Sequence, residues 1–121
     1  MSRFKTAILF SLLAFQGLPG YVLAADAPAE QADGRSIAYD RVKGNCLACH
    51  AIPGDPKAEA PGNIGPPLAN IKERYPNRAV LRDQIWDATV NNPNTSMPPF
   101  GRNKILTEPE IDLVTDFIYG L

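Results

Sequence analysis

One histidine, His50, and two cysteines, Cys46 and Cys49, make up the whole supply of imidazole and thiol in this chain of 121 residues. A structural zinc site takes four protein ligands, usually Cys and His, so a site of that kind cannot be completed within one chain. No convincing strand pattern is present, which removes the βαβ setting that a thioredoxin-like Cys pair needs. No Ser-His-Asp arrangement, phosphate loop or placed carboxylate pair stands out, and there is no internal repeat. The longest apolar run, residues 7–18, is short of the roughly 20 residues a spanning helix needs. An Arg-Arg pair is also missing, which points to export unfolded rather than by the twin-arginine route.

What is present begins with an export segment. Arg3 and Lys5 form a basic start, residues 7–18 an apolar stretch, and Val22-Leu23-Ala24 a small-residue cleavage pattern, so residues 1–24 read as a cleaved secretory signal peptide. The mature chain would have 97 residues with 10 basic and 13 acidic side chains, a net charge of −3. That charge speaks against nucleic acid as a partner, and no membrane span remains after cleavage. Residues 25–33 are small and polar and read as a flexible lead-in. Residues 34–121 are left as one small domain whose own apolar core is thin.

Along that domain the pattern is helical and interrupted. From Gly34, Ile37, Ala38 and Val42 recur at helical spacing, with Tyr39 beside them, until Gly44 and Asn45 end or bend the helix. Five prolines in residues 51–67 exclude helix interior and central strand there, and so long a loop usually wraps something. A short helix is expected over residues 68–75. Asn77 then caps a helix over residues 78–90 that buries Leu81, Ile85 and Ala88, with Trp86 alongside. Residues 91–102 are turn-rich. Thr107-Glu108-Pro109-Glu110 is a capping box with proline in the first turn. It opens a helix whose stripe is Ile111, Val114, Ile118 and Leu121, widened by Leu113 and Phe117. The fold class is therefore all-α, short helices joined by long loops.

The chemistry gathers on Cys46-Leu47-Ala48-Cys49-His50. Cys-x-x-Cys-His is the attachment signature of a c-type haem. Thiols three apart on a helix share a face, and a histidine four after the first joins them, so two thioethers and an imidazole can serve one haem. A Cys46–Cys49 disulfide would leave His50 unexplained. With one histidine, the second axial ligand must be something else. Met97, the only methionine after residue 24, precedes two prolines that restrict its backbone, and His/Met pairing recurs in cytochromes. Lys57, Lys72, Lys104 or an open position are the alternatives. Pro66, in Gly65-Pro66-Pro67-Leu68, is the candidate carbonyl to orient the imidazole. Ile52, Ile64, Leu68, Ile71, Leu81, Ile85, Trp86 and Phe100 are candidates for the haem wall, and Arg102 and Lys104 for propionate pairing or a docking rim.

These segments resemble the class I c-type cytochromes and, among them, the SoxX family. The resemblance runs through residues 34–121 and is carried by Lys43-Gly-Asn-Cys-Leu-Ala-Cys-His-Ala-Ile-Pro-Gly54, Pro61-Gly-Asn-Ile-Gly-Pro-Pro-Leu68, Gln84-Ile-Trp-Asp-Ala-Thr89 and Asn92-Pro-Asn-Thr-Ser-Met-Pro-Pro-Phe-Gly-Arg102. It implies a cytochrome c fold around one haem c held by Cys46 and Cys49, with His50 and Met97 as axial ligands. It further implies a periplasmic location, a SoxA-like cytochrome subunit as partner in a heterodimer, and a downstream acceptor such as another cytochrome c. The family's two subunits couple thiosulfate to a cysteine of the carrier SoxYZ. In that scheme this chain relays electrons and has no catalytic residue of its own. A free soluble shuttle is the alternative of the same class, and a haem enzyme or gas sensor with a labile distal ligand that of another.

Overall fold

The computed structural model describes residues 33–121. The proposed signal segment and almost all of the lead-in lie outside the described residues. Four α-helices follow in order: α1 (Gly34–Tyr39), α2 (Ile71–Arg74), α3 (Arg78–Trp86) and α4 (Glu108–Tyr119). Two 3-10 turns, Cys46–Ala48 and Ala88–Val90, complete the set, and no strand occurs among the described residues. The all-helical expectation holds.

The longest helix, α4, is the hub on which α1, α3 and α2 pack. Its start is set as the sequence indicates. Thr107 Oγ1 accepts from the Glu110 N–H, the Glu110 carboxylate accepts from the Thr107 N–H at 2.9 Å, and Pro109 sits in the first turn. Reciprocal bonds of this kind satisfy two donors that the first helical turn leaves without partners. Ile111, Val114 and Ile118 are buried as the stripe predicts, whereas Leu113 is exposed. Leu113 turns its backbone rather than its side chain to α1: a Cβ on Gly34 would stand 2.0 Å from the Leu113 carbonyl oxygen. The missing side chain at Gly34 is thus what lets the two helices cross so closely. Tyr39 of α1 packs edge-on to Phe117 of α4, ring centroids 6.0 Å apart, in the T-shaped geometry aromatic quadrupoles favour.

Three helices are shorter than the sequence suggests, α2 filling only Ile71–Arg74 of the expected residues 68–75. At Asp40 the backbone is extended, so α1 ends before Val42, and Val42 is 88% exposed instead of buried. The chain after α1 folds back on it, Gly44 N–H to Ile37 O at 3.1 Å and Asn45 N–H to Asp40 O at 2.9 Å. A Cβ on Gly44 would stand 2.7 Å from that Ile37 oxygen, and Asn45 takes a left-handed φ of 46°. Helix α3, capped by Asn77 Oδ1 on the Ala79 N–H as expected, stops at Trp86. There Asp87 (φ −153°) leaves the helix and caps the next turn through its carboxylate, where Val90 is 76% exposed.

Polar groups tie the elements from outside. Arg78 and Arg82 on α3 meet Asp112, Asp116 and Glu108 on α4, spaced by four on both helices so that the pairs form a ladder. The Arg82 guanidinium holds the Asp112 and Glu108 carboxyls below the usual carboxylate range. Each such exposed pair contributes only about 0–1 kcal/mol. On the other flank Asp55 pairs with Arg35 and accepts from the Tyr39 hydroxyl, fastening the proline-rich loop to α1.

The Lys43 ammonium and the Thr107 N–H lower the Glu110 carboxyl to about 2 from an ordinary 4.5. A depressed carboxyl stabilises the fold above its unfolded value and loses that effect as pH falls through the folded one. Wild-type stability should therefore drop between about pH 4.5 and 2, and Glu110→Gln should be less stable at neutral pH with a shallower acid limb. Urea midpoints across that range measure both, and parallel curves for the two proteins would contradict the assignment.

Candidate functional site

The segment from Cys46 to His50 is a single helical turn, 3-10 over Cys46–Ala48. Cys49 N–H bonds to Cys46 O at 3.2 Å and His50 N–H to the same oxygen at 2.9 Å. The second of these is the ordinary helical i→i+4 bond, so Cys46 and His50 still fall on one side. Both cysteines are unbridged. Burial pushes the Cys46 thiol up to about 11, which keeps it protonated at neutral pH.

The loop that follows is zipped against this turn. Gly62 N–H bonds to Leu47 O at 2.7 Å, Gly65 N–H to Cys49 O at 2.8 Å and Leu68 N–H to Ala51 O at 2.8 Å. Close approach requires the glycines: a Cβ on Gly62 would lie 1.9 Å from Ala48 O, and one on Gly65 would lie 2.3 to 2.8 Å from three atoms of the His50 ring. The imidazole is laid over Gly65, and its Nδ1 stands 2.7 Å from Pro66 O. Facing a carbonyl, which can only accept, Nδ1 must carry the proton. That leaves Nε2 as the lone-pair donor. The Pro66 expectation is met. The next carbonyl, Pro67 O, accepts from Arg74 at 2.9 Å.

Cys46, Cys49, His50 and Met97 line one cavity of about 650 Å³, within the range of roughly 300–1,000 Å³ typical of ligand pockets. Its wall includes Ile64, Leu68, Ile71, Leu81, Ile85 and Phe100 from the expected set. Ile52 and Trp86 are corrections. Ile52 is buried away from the cavity, and Trp86 packs on Gly101 and donates its Nε1–H to Glu108 at 2.9 Å. Tyr75 and Leu106 line the cavity unforeseen, and Val114 and Ile118 bring the buried stripe of α4 to it. Arg102 is also elsewhere, paired with the buried Asp87 carboxylate at 3.0 Å and with Thr89 Oγ1 at 3.1 Å. Neither Lys104 nor the alternative ligands Lys57 and Lys72 line the cavity; Arg41, Lys43 and Arg74 do, with no carboxylate among them.

A large flat apolar group fits these residues. The imidazole is pre-oriented, a thioether and two thiols share its cavity, and the wall is aliphatic and aromatic with cations at its edge. Among the described residues no cluster of three or more His, Cys, Asp or Glu offers a competing metal site.

The family described as cytochrome C oxidase, cbb3-type, subunit III matches residues 29–118. The crystal structure of SoxXA from P. pantotrophus matches with a TM-score of 0.64 at 30% identity, over 77% of this chain and 82% of that one. The chain belongs to this family of cytochrome c domains and is SoxX-like. An uncharacterized lipoprotein of Aquifex aeolicus (strain VF5) is 34% identical over 77 residues, 64% of this chain but only 36% of that protein. A cytochrome c domain implies haem, and the chain is an electron-transfer cytochrome. No helix among the described residues is long and apolar enough to cross a membrane.

A methyl at position 65 would collide with the ring it supports. Gly65→Ala should displace the imidazole from Pro66, shifting the His50 Nδ1–H resonance, and cost about 1–3 kcal/mol in stability as overpacking does. An unmoved resonance in folded variant protein would show that the ring does not depend on Gly65.

Proposed function

We propose that this chain binds one haem c through thioethers at Cys46 and Cys49, with His50 and Met97 as axial ligands, and acts as the electron-transfer subunit of an exported thiosulfate-oxidising complex. The observation that carries the reading is the convergence of those four side chains on one cavity, with His50 Nδ1 committed to Pro66 O. A bound haem supplies one-electron exchange at iron. His50 offers Nε2, and the carbonyl at its other nitrogen raises its basicity as a ligand. Met97 offers a neutral sulfur, and His/Met ligation raises the potential, which suits a chain that accepts electrons. The aliphatic wall from α3 and α4 would shield a bound haem from water.

The finer role rests on likeness to SoxXA and on what the chain lacks. Thioether bonds use both cysteines, the whole of its thiol supply, so sulfur transfer would fall to another subunit. Two axial ligands leave no position for thiosulfate. The reading thus includes a SoxA-like partner that performs the coupling to a carrier cysteine, a downstream cytochrome as acceptor, and removal of residues 1–24 on export to the periplasm.

Two measurements test it. Holoprotein denatured in acid acetone should retain its haem, and Met97→Ala should lose the sulfur-to-iron charge-transfer band while staying folded. Released haem sinks the thioethers, and a surviving band sinks Met97. The chain expressed with its genomic neighbours should co-purify with a second cytochrome in equal amounts. Recovery only as a monomer would favour the free shuttle.

A further inference from the structure

Resting on the reading that Met97 is an iron ligand, we propose that Thr95 is the positioning residue that holds it. Met97, Pro98 and Pro99 are consecutive, and proline has no backbone N–H. The Met97 N–H is therefore the one backbone donor in the three residues that carry the thioether. It is given to the Thr95 side chain, N to Oγ1 at 3.1 Å. Among the described residues the one other bond to the backbone of these three lies downstream, where Pro99 O accepts from the Asn103 N–H at 3.0 Å.

Thr95 is itself fixed. Its N–H bonds to Asn92 O at 3.0 Å, and the Asn92 N–H bonds to Ala88 O at 3.1 Å. Ala88 is fully buried, so the series runs from the core below α3 to the sulfur-bearing residue. Asn92 Oδ1 closes the same turn by accepting from the Asn94 N–H at 3.1 Å. Thr95 also lines the cavity beside Met97. Threonine suits the position for two reasons. Its hydroxyl accepts the bond, and its neutral side chain does so at any pH near neutrality.

A thioether is a weak ligand, and an added base competes with it whenever the loop opens. The Thr95 bond exists in the closed loop, while in the open one the Met97 N–H meets water. Loss of the acceptor therefore raises the open fraction, and the apparent affinity for an added base rises by the same factor.

The test is an imidazole titration of the oxidised, haem-loaded full chain, comparing wild type, Thr95→Val and Thr95→Ser. Valine keeps the branched shape without the acceptor; serine keeps the acceptor without the branch. Thr95→Val should bind imidazole more tightly by roughly two- to tenfold, the range one hydrogen bond carries, and the Met97 amide should exchange faster. Thr95→Ser should stay near wild type on both counts. Equal affinity in Thr95→Val and wild type overturns the proposal, and so does a serine variant that behaves like valine, since a hydroxyl acceptor at position 95 would then not be what holds the loop. A wild-type spectrum without the sulfur-to-iron band overturns the Met97 assignment itself, separately from any result for Thr95.

Discussion

The hydrogen bond from His50 Nδ1 to Pro66 O is the constraint around which the site is built. It fixes which imidazole nitrogen faces the cavity, and it can form only if the loop of residues 62–68 lies against the turn that bears the cysteines. That approach in turn demands no side chain at Gly62 and Gly65. The two prolines that follow lack N–H groups, so they bring acceptors to this crowded place without a donor that would need a partner. Residue choice in the loop is thus explained from one contact outward.

The two halves of the site hang from different helices that share one support. The Cys-His turn folds back on α1 through Gly44 and Ile37, and the methionine loop returns to the end of α3 through Gly101 N–H to Trp86 O at 3.0 Å. Helices α1 and α3 both pack on α4, one through the closeness Gly34 permits and the other through buried aliphatics and the arginine ladder. Val114 and Ile118 of α4 reach the cavity between them. The distance between the Cys-His turn and the methionine loop is therefore set by a helix that belongs to neither.

Much of this was legible in the residues, and the failures have physical causes. Motif spacing pointed to Cys46, Cys49, His50 and Met97, and the fold places all four around one cavity. The capping box and Asn77 were legible because caps are local. Val42 and Leu113 were misplaced because apolar periodicity does not register where the backbone leaves the helix or how close a neighbouring backbone comes. Arg102 and Trp86 were misplaced because a buried carboxylate at Asp87 and an acceptor at Glu108 claim them, and those pairings form only once the chain is folded. The ladder between α3 and α4 went unseen for the same reason.

Electron transfer at a haem gains from ligands that shift little when the charge on iron changes, since any movement adds to the barrier. Strong bonds within the site are one way to limit movement; anchoring each ligand to the backbone is another. Both His50 and Met97 are anchored to the backbone in this chain. The imidazole is braced by the Pro66 carbonyl, and the methionine by an N–H whose acceptor is tied to the buried Ala88. A binding or sensing haem needs one side free to yield. The geometry here anchors both the His50 ring and the backbone of Met97.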